Sequence, residues 1–306
     1  MILSPKKCVL PKTLLLKACA ALVLLILSAA AMAAQDRGLF WMAEKQGQRV
    51  YLLGSVHLAT PDFYPLRSEI LQAYERSDAL AVEADILAAE RNPTLQQQIM
   101  QQSLYTNGRS LRDDLSAETF QQLQSWLNQR QLPEAMFIRQ RPAIAMITLS
   151  MVEMQARGLN PQLGIDRHFL LKAHNTGDKQ VLELEGVMEQ LSMLNNLENP
   201  DLMLQQTLQQ LGEIDTVLPK MMSAWKQGDA DGMYQLIIAD YLQESPDYAA
   251  LYEEMFFKRN RRMASAIAQA SKTHDTLFVI VGAGHLVGSK SMLEELEKRQ
   301  FRITAL

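Results

Sequence analysis

Two histidines occupy the same short setting near opposite ends of the chain. His57 closes the stretch Gly54-Ser-Val-His57, and His285 closes Gly282-Ala-Gly-His285. Each stretch follows an apolar run, and a leucine follows each histidine. The chain has only five histidines, and imidazole is the commonest metal-ligating side chain. Two imidazoles and a carboxylate would suit a divalent transition metal such as manganese, iron, cobalt, nickel or zinc.

The carboxylate that could complete such a site is Glu83, which ends the apolar stretch "ALAVE". A metal held by two histidines and one acid keeps open positions, so it would activate water or polarise a carbonyl. A single Gly-x-x-His after a strand is more often structural than functional. The second copy after a matched apolar run favours function. His168 and His174 are six residues apart, off one helical face, and are interpreted as structural or exposed.

Five short apolar runs that could position these residues are predicted to be strands, at 49–53, 79–83, 180–184, 276–281 and 301–305. Helices are predicted at 64–76 and about 289–299, and the region of about 88–272 is mostly helical in pattern. The order strand, Gly-x-x-His, helix, strand occurs twice, which indicates a weak internal repeat. We expect an α/β fold with a central mixed or mostly parallel sheet. Two related strand-GxxH-helix-strand units would build it, with a large helical insertion between them. The carboxyl ends of parallel strands, where both motifs would lie, form the ligand-binding edge of such sheets.

The first 33 residues have the pattern of a secretory signal peptide. Four lysines and no acid precede an apolar run at 18–31, and Ala31-Met32-Ala33 is a small-x-small cleavage signal. We expect export to the periplasm or the medium, with cleavage after Ala33 or Ala34. The alternative is an uncleaved inner-membrane anchor through residues 18–34. Residues 34–306 are predicted to form one domain.

Composition narrows the function classes. Both cysteines, Cys8 and Cys19, lie in the leader, so a mature chain would have no disulfide, thiolate ligand or cysteine nucleophile. Loss of the leader's four lysines takes the formal net charge from −4 to −8, so the basic footprint of a nucleic-acid binder is missing. Membrane contact is expected only if the leader is retained. The most apolar later stretch, 143–152, is too short to span a bilayer and is predicted to be a buried helix.

Several other residues could take part in chemistry. Asp166 in "GIDRHF" lies near a predicted helix start, where capping alone would explain it. Glu183 and Glu185 alternate in "LELEG", so one could point to the sheet edge or both could be solvated. Arg259 in "FFKRNRRM" belongs to an exposed helix face or stabilises a developing oxyanion. Serine-nucleophile elbows, His-Glu-x-x-His helices, phosphate loops and dinucleotide fingerprints are absent from the sequence.

The stretches "YLLGSVHL", "ALAVEAD", "LGID", "LELEGVMEQ", "KRNRRMA" and "FVIVGAGHLVG", in this order, resemble the TraB/GumN family, which includes the Tiki proteins. The resemblance spans about 39–303. It implies a fold similar to those of erythromycin esterase and ChaN-type haem-uptake proteins. It also implies an active site formed by the paired Gly-x-x-His motifs and the acid after the first. Tiki-like members are metal-dependent proteases, so manganese or cobalt is the implied cofactor, with zinc or iron as alternatives.

The resemblance marks His57, His285 and Glu83 as the metal site. Glu185 is favoured over Glu183 because Leu184-Glu185 and Gln190 match a family pattern. Gly186 replaces the family's usual threonine, and Met263 stands near the place of an aromatic residue. Both departures are expected to affect substrate contacts more than the metal. The supporting residues implied by the resemblance are Gly54, Gly282, Asp166, Gln190 and Asn260.

The leading hypothesis from the sequence is an exported metal-dependent hydrolase, most specifically a peptidase acting on a peptide or protein. Glu83, as a third ligand or general base, would be catalytic together with Arg259 and Glu185. The helical middle would form the substrate groove. One alternative is a non-catalytic protein that sequesters a peptide or small ligand at the same site. A further alternative is a metal-independent esterase with one histidine as general base.

Overall fold

The structure is a computed structural model that describes residues 36–244 and 246–306. The predicted signal peptide lies outside the described residues, as do the cleavage positions after Ala33 and Ala34. Export therefore stays a prediction. Within the described residues, no helix is both long and apolar enough to cross a bilayer.

One six-stranded sheet forms the centre of the fold, in the order β4-β3-β5-β2-β1-β6. The strands β4, β3, β5 and β2 are mutually parallel, whereas β1 is antiparallel to both of its neighbours, β2 and β6. The predicted α/β fold with a mostly parallel sheet is thereby confirmed. The strands are β1 Phe40–Lys45, β2 Gln48–Ser55, β3 Ala79–Val82, β4 Gln180–Glu183, β5 Thr276–Gly282 and β6 Arg302–Ala305.

Fourteen α-helices connect and cover the strands in the described residues. The helices up to the fourth strand and just beyond are α1 Ser68–Arg76, α2 Ile86–Arg91, α3 Pro93–Ser103, α4 Ala117–Gln129, α5 Pro142–Ala156, α6 Ile165–Thr176 and α7 Val187–Asn195. The remaining helices are α8 Pro200–Gly212, α9 Ile214–Gln227, α10 Ala230–Tyr234, α11 Asp240–Glu244, α12 Tyr248–Tyr252, α13 Lys258–Ala270 and α14 Met292–Lys298.

Shorter helical segments lie between these helices. The 3₁₀ turns are Pro61–Phe63, Leu111–Asp114, Glu134–Met136, Pro161–Leu163 and Ala283–His285. Two π-helical segments, Gln235–Ala239 and Glu253–Phe257, continue α10 and α12. Both contact the turn that carries His285 or the glycine before it. Isolated π-helical turns often occur at functional sites.

Both expected strand–Gly-x-x-His–helix–strand units are present. The first runs β2–α1–β3 and the second β5–α14–β6, and β2 and β5 pair in parallel with Gly54 opposite Val281. The buried strands β3 and β5 are continuous apolar runs, as expected for parallel strands covered on both faces. This pairing aligns the ends of β2 and β5, and therefore brings the two motifs side by side.

The structure differs from the sequence prediction at two places in this core. The helix predicted over 64–76 begins only at Ser68, because Tyr64 is extended before Pro65 and Arg67 is still extended. The strand β1 was not predicted. It forms a hairpin with β2 through Gln46 and Gly47, both of which have positive φ, as two-residue hairpin turns require.

Candidate active site

Four parallel strands end at one edge of the sheet, and each end carries a polar side chain singled out by the sequence. His57 follows β2, Glu83 follows β3, Glu185 follows β4, and His285 follows β5. The edge therefore gathers two imidazoles and two carboxylates from segments as much as 228 residues apart in sequence. This is the edge at which open α/β sheets bind ligands.

The imidazole of His57 is oriented by Asp166, near the start of α6. Its Nδ1 lies 3.0 Å from Asp166 Oδ2, and the hydroxyl of Ser55 donates to Asp166 Oδ1 at 3.1 Å. The backbone N–H of Asp166 donates back to Ser55 Oγ at 3.2 Å. The Asp166 charge raises the pKa of His57. A carboxylate on Nδ1 selects the Nδ1–H form of the neutral ring, which leaves the Nε2 lone pair free.

Gly164 brings α6 close enough for this contact. A Cβ at Gly164 would lie 2.4 Å from the carbonyl oxygen of His57. The next residue, Ile165, donates its backbone N–H to the carbonyl of Val56 at 3.0 Å. Only glycine therefore lets the start of α6 pack against the His57 loop. No Asp166 side-chain cap is formed at this helix start, so capping does not explain this residue.

Asn260 on α13 fixes the second histidine. The Nδ1 of His285 lies 2.6 Å from Asn260 Oδ1, and Asn260 Nδ2 donates to the carbonyl of Lys290 at 2.8 Å. Because a carbonyl can only accept, this second bond sets which end of the amide faces the imidazole. His285 must then donate through Nδ1–H and expose the Nε2 lone pair. Burial lowers the pKa of His285 to about 4, so the ring is neutral near pH 7.

Glu83 stands between the two histidines. Its Oε1 accepts the backbone N–H of Gly282 at 2.6 Å and lies 3.9 Å from His285 Nε2. Its Oε2 accepts from Arg259 at 2.5 Å and from Gln190 at 2.9 Å. Burial raises the pKa of Glu83, but the permanent charge of Arg259, the charge of His57 and the Gly282 N–H lower it, and the pKa lies well below its usual value. The carboxylate is therefore ionised, with Oε1 turned to the histidines.

Glu185 supports Glu83 from behind. Its side chain is only 1% exposed and accepts from Arg259 Nε at 3.1 and 3.0 Å, and from Arg259 Nη2 at 2.7 Å. Gln190 bridges the two acids, since its Nε2 reaches Glu185 Oε2 at 3.1 Å as well as Glu83. Arg259 is thus held by two carboxylates, 12% exposed. A role for Arg259 at an oxyanion stays a prediction.

The two motif glycines serve different purposes. A Cβ on Gly282 would lie 3.3 Å from Glu83 Oε1, 3.7 Å from His285 Cδ2 and 3.9 Å from His57 Nε2. The three candidate ligands therefore surround one point, which the absence of a Cβ keeps open. A Cβ on Gly54 would instead meet Leu39 and Ala283 at 3.1–3.4 Å. Gly54 is thus a packing position beneath the site.

The donor set fits a divalent transition metal in its chemistry. Two histidines present unprotonated Nε2 atoms in the neutral form, each with Nδ1 on an acceptor, and the carboxylate is ionised. Two ligands of one tetrahedral ion are about 3.4 Å apart, so the Glu83–His285 separation is wide by about 0.5 Å. In the described residues, no group of three or more His, Cys, Asp or Glu side chains is placed so that it could hold a metal ion. Binding of an ion would require these side chains to move together.

A cavity of about 410 Å³ opens over His57 and Glu83, and His285 lies outside its lining. His57, Glu83, Asp166 and Gln190 line it together with Gly282. Its walls are mainly apolar, whereas Arg167 and Glu90 form an ion pair at 2.7 Å at its rim. The apolar wall residues include Leu58, Ile86, Met151 and Pro161. An apolar cleft with a few convergent polar groups is typical of a small-molecule or peptide site.

Of the residues predicted from the sequence, the structure brings every candidate to this edge, with Gly54 beneath it and Asn260 behind His285. His168 stacks on Tyr64 and Phe169, and His174 binds Asp85 at 2.7 Å, so both are structural here. The sequence interpretation missed Ser55. Its position inside the first Gly-x-x-His motif was the available signal.

The sequence is similar to known proteins along most of its length. A family model for the TraB/PrgY/gumN family matches residues 39–305. The chain is 27% identical over 247 residues to the uncharacterized protein YbaP of Escherichia coli K12, covering 80% of this chain and 87% of YbaP. It is 23% identical over 321 residues to the metalloprotease TIKI1 of Danio rerio, covering 88% of this chain but only 63% of TIKI1. No solved structure matches the chain significantly.

Proposed function

This chain belongs to the TraB/PrgY/gumN family, and on that premise we propose that it is a metal-dependent hydrolase, most specifically a peptidase. Distant similarity to a metalloprotease supports the reaction class. The observation that carries the proposal is the convergence of His57 Nε2, His285 and Glu83 Oε1 around the missing Cβ of Gly282. Both imidazoles are held by acceptors on Nδ1, which is how proteins orient metal-ligating histidines.

In this proposal His57, His285 and Glu83 hold the ion. A divalent cation there would act as a Lewis acid toward water and a substrate carbonyl. Asp166 and Asn260 each accept from Nδ1 and aim Nε2 at the centre. The Asp166 charge also raises the pKa of His57 to about 9, so a bound ion would displace the second proton of that ring. Arg259 and Gln190 bind Glu83 Oε2, so that Oε1 is the atom available to bind the ion or take a proton from the attacking water. The apolar cavity walls would hold the substrate and exclude bulk water.

Manganese or cobalt is proposed as the native ion, with zinc or iron as alternatives, since histidine and carboxylate ligands suit all four. We also propose that the mature domain works outside the cytoplasm, because of the leader pattern in residues 1–33.

A peptide-cleavage assay tests the proposal. Purified mature chain is incubated with a mixture of synthetic peptides, with each candidate metal and with chelator, and products are identified by mass spectrometry. We expect cleavage that needs metal and is lost in Glu83→Gln, whose neutral amide keeps the size of the side chain. Peptide cleavage that survives chelation would contradict the metal-dependent mechanism, and hydrolysis of a model ester that survives chelation would favour the metal-independent esterase.

One observation favours a second candidate. Glu83 is bound by Arg259 and Gln190, and a carboxylate so neutralised is also suited to a site that only binds. A protein that sequesters a peptide would then bind members of the mixture without producing fragments. Stoichiometric binding of metal and peptide, with no cleavage in the presence of any of the metals, would favour this binding function over hydrolysis.

A further inference from the structure

Helix α5 (Pro142–Ala156) carries apolar side chains that no part of the described core covers. Ile144, Ile147 and Met151 are spaced by three and four residues and so form one stripe along the helix. Ile147 is 42% exposed, and the other two are half-buried. None of the three belongs to, or packs against, any of the three hydrophobic clusters of the described residues. The helix predicted to be buried therefore has an exposed apolar side.

This stripe is continuous with the candidate active site. Met151 lines the cavity that also contains His57, Glu83 and Gly282. From Met151 the stripe leads toward the start of α5 at Pro142. Seven residues of helix span about 10 Å, which is about the length of three residues of an extended chain.

A helix that neighbours α5 also contributes a residue to the candidate active site. Helix α7 packs against α5, and its residue Gln190 binds both Glu83 and Glu185. Helix α5 is therefore in direct contact with the helix that supports Glu83. An apolar stripe that continues out of a cleft is a recognised feature of ligand-binding grooves.

The chemistry of α5 indicates the kind of occupant. Its only charged residue, Glu153, is 2% exposed, and Arg130 and Arg157 bind it. Between residues 142 and 156 there is no lysine or arginine. A helix that lies on a membrane surface needs such cations on its polar face, so a lipid surface is disfavoured. A narrow uncharged stripe about 10 Å long instead suits alternate side chains of one extended strand.

We propose that the α5 stripe (Ile144, Ile147 and Met151) binds an extended peptide through apolar side chains two to four residues from the bond held in the cavity. This inference rests on the proposed peptidase function and specifies its substrate class. The substrates are unstructured or terminal polypeptide segments with apolar residues at alternate positions. Small esters and dipeptides would reach the cavity without touching Ile144 or Ile147.

The test uses two labelled twelve-residue peptides, one alternating Leu with Ser and one with Gln in place of every Leu. Binding is measured by fluorescence anisotropy in a His57→Ala background, where turnover is blocked. The double variant Ile144→Gln/Ile147→Gln removes the stripe with a residue of good helix propensity. Met136→Gln is the matched control, since Met136 is 56% exposed and precedes α5.

The His57→Ala protein is expected to bind the Leu peptide about tenfold more tightly than the Gln peptide, which is about 1.4 kcal/mol of binding free energy. The double variant is expected to lose that preference, whereas Met136→Gln keeps it. When His57 is intact, the double variant should show a higher KM for cleavage of the Leu peptide, with kcat unchanged. Equal binding of the two peptides, or an unchanged preference in the double variant, would overturn the proposal.

Failure of this inference and failure of the peptidase proposal give different results. Metal-dependent cleavage without any Leu preference would contradict peptide binding at the α5 stripe and would support the hydrolase proposal. A Leu preference that depends on Ile144 and Ile147, with no cleavage of either peptide, would support peptide binding at the stripe and would contradict the hydrolase proposal. Size-exclusion chromatography of both proteins completes the test, because dissociation of a dimer by the double variant would assign the stripe to self-association and overturn the inference.

Discussion

Replacement of Gly282 by alanine should weaken metal binding at the candidate site without disturbing the fold. The backbone of Gly282 has φ −50° and ψ 137°, which alanine adopts without strain. The added methyl would lie 3.3 Å from Glu83 Oε1 and within 4 Å of His285 and His57. Glu83 cannot easily retreat, because its Oε1 also accepts the Gly282 N–H at 2.6 Å. The variant should therefore fold normally and bind metal poorly.

The expected loss of metal affinity follows from the methyl group's contacts with Glu83, His285 and His57. Displacing the partners of a metal ligand usually lowers affinity about 10- to 100-fold, or about 1.4–2.7 kcal/mol of binding free energy. The free energy of unfolding of the metal-free protein should change by less than about 1 kcal/mol. Isothermal titration calorimetry with manganese and zinc measures the first quantity, and urea unfolding in chelator measures the second.

Two other glycines provide matched controls. Gly212→Ala adds a methyl with no neighbour within 4 Å; it should leave metal affinity unchanged and, because Gly212 ends α8, stabilise the fold by at most about 1 kcal/mol. Gly54→Ala places its methyl 3.1 Å from Leu39 Cβ and 3.2 Å from Ala283 Cα. It should therefore destabilise the fold by about 1–3 kcal/mol. Wild-type metal affinity in Gly282→Ala would refute the placement of the ion among these three side chains.

Three further substitutions test the surrounding network. Asp166→Asn should lower metal affinity about 10- to 100-fold in calorimetry, because it weakens the acceptor that orients His57; unchanged affinity would exclude that role. Glu185→Gln should abolish cleavage and destabilise the protein by about 1.5–3 kcal/mol in urea unfolding, since Arg259 loses one of its two carboxylate partners; a fully stable, active variant would contradict this. His174→Ala should lose about 1–2 kcal/mol of stability with its Asp85 contact, yet keep metal binding and cleavage; loss of metal would show that His174 serves the site.

The sheet and the position of the site could be predicted because their signals are local. Buried parallel strands are continuous apolar runs, and such runs before Gly54 and Gly282 located β2 and β5. The repeated order of elements then placed both histidines at the same sheet edge. The hairpin strand β1 lacked that signal, since Phe40–Lys45 is short and mixed, and its Gln46-Gly47 turn is not one of the strongest turn pairs.

The partners that orient the ligands could not be derived from periodicity. Asn260 contacts His285 only because α13 packs behind the second motif, and the resemblance, rather than the spacing, pointed to it. Ser55 binds Asp166 across 111 residues, a contact that no local pattern encodes. The stretch 143–152 was predicted to be buried on composition alone. Apolar content does not reveal which side of α5 lacks a covering element, so the exposed Ile147 emerged only from the fold.

Metal binding by the unmodified mature chain tests the central claim most directly. The protein is purified without chelator, its metal content is measured by inductively coupled plasma mass spectrometry, and His57→Ala and His285→Ala are measured in parallel with circular dichroism as a check on folding. The account predicts about one divalent ion per wild-type chain and its loss from both folded variants. Wild-type protein that binds no divalent ion when titrated, or folded variants that retain it fully, would contradict the account.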